Sequence, residues 1–240
     1  MPEYFIAAAI CFVAGALQGC TGFGSALVAV PLMTLFLPAK LVVVVVTLMG
    51  LSINVVLCCQ LRKSIDPAKV WPLFMGAVPG AVLGVLFLDS VNESALLAAL
   101  GVGLVAYGLF GLLAKPKPIT PRPQWGLAVG FATGAATAAI SAGGPPTIVY
   151  VSLTDWPKDQ AKATLVGFFT MTASLAVVGH ALTGLTTTEA QCLSLLCLPS
   201  TLLGVGLGTL VYGRMSQDAF RKTLFMLLGA LGVMMLARSL

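Results

Sequence analysis

A 240-residue chain with 58% hydrophobic and only 9% charged side chains is no ordinary water-soluble domain, in which about a quarter of residues carry charge. Its mean hydropathy of +1.02 and the clustering of its charges mark an integral membrane protein. The 13 Lys and Arg against 8 Asp and Glu are therefore a topology signal, and no nucleic-acid partner is expected.

Met1-Pro2-Glu3-Tyr4 has no basic leading region, and no small-residue cleavage site follows, so the first apolar run is expected to be retained. Residues 4–37 form one uncharged run of 34 residues, interrupted by Gly22-Phe23-Gly24-Ser25. It is too long for one helix and short for two complete ones. The reading is a helix, a break near membrane mid-depth, and a short second helix. Lys40 follows, then a span at 41–60 that carries Thr47, Ser52, Asn54 and Gln60. Arg62, Lys63, Asp66 and Lys69 make a loop before the span at 70–88. That span has a Gly80…Gly84 face, which lets helix backbones approach closely in lipid and permits a homodimer. Asp89 and Glu93 mark the next loop, and 94–114 spans again.

Residues 115–123, KPKPITPRP, are an extended, semi-rigid linker because of their alternating prolines. Residues 124–154 are again a long interrupted run, broken at Ser141-Ala142-Gly143-Gly144-Pro145-Pro146. A charged loop, Asp155 to Lys162, leads to spans at 163–183, 190–212 and 219–238.

The two interrupted runs match each other 119 positions apart. Gly15 falls on Gly134, Gly24 on Gly143 and Ser25 on Gly144. Pro79-Gly80…Gly84 echoes Pro199-Ser200…Gly204 at 120. A chain that repeats at half its length is two copies of one unit, here 1–114 and 124–240.

Basic residues decide how the interrupted runs lie, because cytoplasmic loops hold the Lys and Arg excess. Single crossings divide them 7 to 6, which is no bias. Hairpins at 4–37 and 124–154 divide them 11 to 2, with only Lys40 and Arg238 outside. The expected fold is therefore an all-α integral membrane protein of two repeats, each a broken, re-entrant helical hairpin plus three transmembrane helices. An odd number of crossings per half inverts one repeat relative to the other and brings the glycine-rich tips together near the midplane. Both termini then lie outside and the linker lies in the cytoplasm.

Non-helical backbone at membrane depth must be buried or face a watery cavity. Helix N-termini carry free N–H donors and partial positive charge, so two of them aimed at one cavity form an anion site without Lys or Arg. Gly22, Gly24, Gly143 and Gly144 supply unhindered amides, and Pro145 suits a first helical turn. Side-chain donors near the tips are Gln18, Thr21, Ser25, Ser141 and Thr147. Asn54 and its rough counterpart Ser174 lie mid-span. A cation transporter would need an intramembrane carboxylate, and every Asp, Glu, Lys and Arg falls at a loop or an end. His180, the one histidine, is the candidate for proton coupling. Competing readings stand beside these. Single glycines serve helix packing, Asn54 bridges two helices, His180 packs at an interface, and Thr47, Ser52, Thr170 and Thr172 bond back to their own helices.

The six cysteines lie inside apolar runs with no C-x-x-C spacing, which fits packing and neither a redox pair nor a metal site. No catalytic motif, metal site or cofactor is expected.

At Gly15, Gly19, Gly22, Gly24, Ser25 and Pro31, and again at Ala142 to Pro146, the chain resembles the sulfite exporter TauE/SafE family, within the wider toluene-sulfonate uptake permease group. The resemblance covers nearly the whole chain. It implies a multi-pass transporter of the bacterial-type inner membrane that carries small sulfur oxyanions such as sulfite, sulfonates or sulfoacetate. Gly24-Ser25-Ala26 stands where the family more often has three glycines. The alternatives are a passive anion channel of the same fold, a transporter of a non-sulfur organic anion, and a membrane thiol relay.

Overall fold

The computed structural model describes residues 2–113, 123–154, 156–211 and 217–239. Among these are ten α-helices, one 3-10 turn and no strand. They are α1 (Pro2–Thr21), α2 (Ser25–Met33), α3 (Ala39–Leu61), α4 (Pro67–Ser90), α5 (Glu93–Leu113), α6 (Pro123–Ile140), α7 (Gly144–Ser152), α8 (Lys158–Leu182), α9 (Thr188–Val211) and α10 (Gln217–Ser239). Of the linker, residues 115–122 lie outside the described residues, and Pro123 opens α6. Six of the helices are long and apolar enough to cross a membrane. The chain is an all-α integral membrane protein.

Both interrupted runs fold back on themselves. The Ser25 hydroxyl donates to the Gln18 side-chain carbonyl, and the Cys11 thiol reaches the Met33 sulfur at 3.9 Å. α2 therefore runs antiparallel to α1. The second run repeats this through Thr133 and Thr147, whose hydroxyls bond at 2.6 Å. Each hairpin has a long and a short arm. The 20 residues of α1 reach about 30 Å, and the nine of α2 about 13 Å, at ~1.5 Å per residue. The short arm thus ends partway back. Arg238 closes the open end of α2 by donating to the Thr34 carbonyl at 2.7 Å, as cations do at helix C-termini.

Lipid supplies no hydrophobic drive between helices, so small residues set the packing. α1 lies parallel to α9, with Gly15 and Gly19 against the backbone of Thr201 and Val205, and Gly204 and Gly208 against Phe12 and Ala16. α6 lies parallel to α4 in the same manner. There Gly76, Gly80 and Gly84 face Leu127, Phe131 and Ala135, while Gly130 and Gly134 face Leu73 and Ala77. α5 and α10 pack antiparallel through Gly101, Gly108 and Gly232. A methyl group at most of these positions would strike a backbone carbonyl. The glycine faces are used inside the protomer. The long arm of each hairpin packs on a helix of the other half, and exchanging the halves maps one pair onto the other.

α3 and α8 cross between these pairs, where Ile53, Leu57, Val166 and Val205 form one buried cluster. Lys40 donates to the Asp89 carbonyl at 2.7 Å, and the Ala39 amide to Glu93 at 3.0 Å. These contacts gather the start of α3, the end of α4 and the start of α5 at one end of the bundle. Lys162 departs from its expected place in a loop. α8 begins at Lys158, and the Lys162 stem lies over Gly22, its Cγ 3.3 Å from where a Cβ would stand.

Candidate functional site

Between the two tips lies a cavity of about 70 Å³. Its depth follows from the central helices. Gly50, the middle residue of α3, lines it, as does Phe169, beside the middle of α8.

Six pairs of residues lining the cavity match across the two halves. Gln18 and Thr137, Phe23 and Ala142, Gly24 and Gly143, Ser25 and Gly144, Gly50 and Phe169, Asn54 and Ala173 all face it, each pair 119 positions apart. The sequence offset is thus also a spatial one.

Backbone geometry makes each tip. α1 ends in a left-handed turn, where Gly22 (φ 85°) donates its amide to the Gln18 carbonyl at 2.7 Å. Gly24, the residue before α2, is also left-handed at φ 96°. Side chains avoid this region, which glycine adopts freely. No side chain caps α2, so its first turn opens on the cavity, with Ser25, Ala26 and Leu27 all lining it. In the second tip Ser141 takes the left-handed turn at φ 56°, and Gly143 is right-handed at φ −71°. Pro145 and Pro146 remove two of the N–H donors from the start of α7.

The polar side chains of the first half form a relay. Ser25 donates to the Gln18 side-chain carbonyl, and the Gln18 amide nitrogen donates to Asn54 Oδ1 at 2.9 Å. All three are buried. Across the cavity Thr47 donates to its own helix at Val43, 2.7 Å away, and its hydroxyl lies 3.2 Å from that of Ser141.

The cavity thus gathers Gln18, Gly24, Ser25, Asn54, Ser141, Gly143 and Gly144. Gly22 lies behind it under Lys162, and the Thr21 side chain lies outside what the structure describes. Thr147 faces Thr133 on α6. Pro145 is not among the lining residues. Ser174 bonds back to the Thr170 carbonyl at 2.8 Å, and the neighbouring Ala173 takes the position opposite Asn54. The His180 ring nitrogen Nε2 donates to the Ala138 carbonyl at 2.8 Å, which ties α8 to the end of α6. Thr137, Phe23, Gly50, Phe169 and Ala173 line the cavity without having been singled out from the sequence. Applying the 119-residue offset to Gln18 and Asn54 would have found Thr137 and Ala173.

A cavity between two helix breaks, beside the middle of the central helices, is the architecture of a multi-pass membrane transporter. The chain belongs to the sulfite exporter TauE/SafE family, whose model matches residues 7–235. That family consists of membrane exporters of the sulfite and sulfur-anion type rather than enzymes. Comparison with individual curated proteins and with solved structures gave no match.

Proposed function

We propose that this protein is a secondary transporter of a small sulfur oxyanion, bound between the two tips and carried by alternating access. The observation that carries this reading is the uncapped start of α2. Three successive residues of its first turn line a buried cavity, and such a turn presents N–H donors and partial positive charge. An anion is the natural occupant of such a turn, and the cavity volume suits one of four or five heavy atoms.

The two halves act as inverted repeats that rock against each other. The exchange of helix pairs between halves and the constant offset of the lining residues support this. The protein sits in a bacterial-type inner membrane with both termini outside. The 11 to 2 division of Lys and Arg under the hairpin reading supports this orientation. Gln18, Gly24, Ser25, Asn54, Ser141, Gly143 and Gly144 make the site.

Uptake into proteoliposomes tests the reading. Sulfite or methanesulfonate flux should saturate and should run against a concentration gradient when a coupling gradient is imposed. Linear flux that only dissipates gradients would identify a channel instead.

A further inference from the structure

We propose that the anion is held off-centre, by the first half of the chain, and that Asn54 supplies its side-chain N–H donor, aimed into the cavity by Gln18. This deepens the anion-site reading and rests on it: it names the donor, the residue that positions the donor, and the form of substrate that follows.

Hydrogen-bond relays have a direction. A carboxamide has one acceptor end and one donor end. Ser25 gives its proton to the Gln18 carbonyl, so the opposite end of Gln18 is its NH₂, which donates to Asn54 Oδ1 at 2.9 Å. With its carbonyl turned to Gln18, Asn54 keeps its NH₂ on the other branch. The residue lines the cavity while only 5% exposed. Gln18 and Ser25 are as deeply buried, at 4% and 6%, so water competes little for the relay. Reversing every member would turn the Asn54 carbonyl to the cavity, where an anion would meet a lone pair. An anion therefore selects the observed direction.

The second half has no such device. The positions matching Gln18, Ser25 and Asn54 are Thr137, Gly144 and Ala173, all on the cavity wall. Pro145 and Pro146 follow Gly144 and lack N–H groups. Ser141, Ala142, Gly143 and Phe169 complete that wall, and the Ser141 hydroxyl is engaged with Thr47 at 3.2 Å. One side of the cavity carries the carboxamide relay, and the other carries the Thr137 and Ser141 hydroxyls, small residues and Phe169. The substrate class this fits is a single-headed oxyanion with no tail or a one-carbon tail, such as sulfite or methanesulfonate. A two-headed acid such as sulfoacetate would press its second charge against the wall that has no such relay, at a cost for any unpaired buried charge.

Affinity measured by ligand-induced thermal shift on the full chain in lipid nanodiscs tests this, with methanesulfonate, sulfite (under anaerobic conditions) and sulfoacetate as probes. In the unaltered protein, methanesulfonate should bind at least tenfold more tightly than sulfoacetate. Gln18→Glu, ionised at alkaline pH, keeps the acceptor for Ser25 but has no proton to donate to Asn54, so Asn54 turns its NH₂ toward Glu and its carbonyl toward the cavity. Gln18→Glu and Asn54→Leu should each weaken methanesulfonate binding at least tenfold. The double variant should be no worse than the weaker single variant within twofold, because Gln18 acts through Asn54. Direct repulsion by the new carboxylate would instead multiply the two losses, and that result would overturn the positioning role. Sulfoacetate binding as tightly as methanesulfonate would overturn the off-centre site without needing any variant to fold. Failure of both sulfite and methanesulfonate to protect the unaltered protein would remove the anion site itself, and this proposal with it.

Discussion

The two hairpin tips solve one geometric problem with different residues. Each long arm must stop, turn and send a short helix back at membrane depth. The first tip uses Gly22 and Gly24, both left-handed. The second uses Ser141 at the position matching Gly22, and a right-handed Gly143 matching Gly24. Behind the tips the arms are joined differently as well. Thr133 and Thr147 share a hydrogen bond in the second hairpin, whereas the matching Ala14 and Val28 are simply buried together in the apolar core of the first. The first half puts a carboxamide relay on the cavity, and the second puts two hydroxyls, an aromatic ring and small residues there. A repeated backbone therefore need not mean a repeated chemistry. The shape is shared and the carboxamides lie on one side.

The sharpest contrast lies between the glycines. A Cβ at Gly143 would collide with the Thr137 hydroxyl and the Thr133 carbonyl, while at Gly24 the nearest atom is a flexible Leu17 methyl at 3.4 Å. Gly143→Ala should therefore destabilise by about 3 kcal/mol through overpacking. Gly24→Ala should destabilise by about 1–2 kcal/mol, through its left-handed φ alone. Reversible unfolding in bicelles or mixed micelles ranks them, and the opposite order would dissolve the contrast. Gly24→Val should also abolish methanesulfonate protection in a protein that still folds.

The arm junction gives the next largest effect. Thr133→Val strands the buried Thr147 hydroxyl and should destabilise by about 1–3 kcal/mol. Replacing both, Thr133→Ala with Thr147→Val, copies the first hairpin and should recover most of that loss. If the double variant were as unstable as the single one, the two junctions would not be interchangeable.

Ser141 isolates the strain. Both Ser141→Gly and Ser141→Ala lose the contact with Thr47, but only glycine relaxes at φ 56°. Ser141→Gly should be the more stable of the two by about 1 kcal/mol, and equal melting temperatures would remove strain from the second tip.

The smallest effect is expected at Pro146→Ala, which restores an N–H to the second tip. Methanesulfonate affinity should change less than twofold. Tenfold tightening would mean that the second tip also touches the anion.

Much of this architecture was legible in the chain itself. The breaks at Gly22–Ser25 and Ser141–Pro146 stand out because a membrane tolerates few interruptions of helix, and the even division of Lys and Arg under single crossings argued for hairpins. Residues of the cavity lining were legible where the signal was local to a break, as at Gly24, Ser25, Ser141 and Gly143. Asn54 was legible as a polar group mid-span, and it both bridges α3 to α1 and faces the cavity. Thr47 was read as bonding back to its own helix. It does so, and its hydroxyl also meets Ser141. Lys162 escaped because a long aliphatic stem lets a charge at the start of α8 reach a neighbouring helix end. Gly15 and Gly19 could not be told from site glycines by spacing alone. Only the approach of α9 shows them to be packing positions.

By itself the sequence determined that this protein lives in lipid, repeats once and breaks its helices twice. Those properties follow from hydrocarbon thickness and from the need of every buried backbone group for a partner nearby in the chain. The tertiary structure alone decided which small residues pack and which line the cavity, and which way the Gln18 and Asn54 amides point. Those outcomes depend on atoms brought together from residues 18, 54, 141 and 201, and the direction of a hydrogen bond is fixed only when donor and acceptor meet.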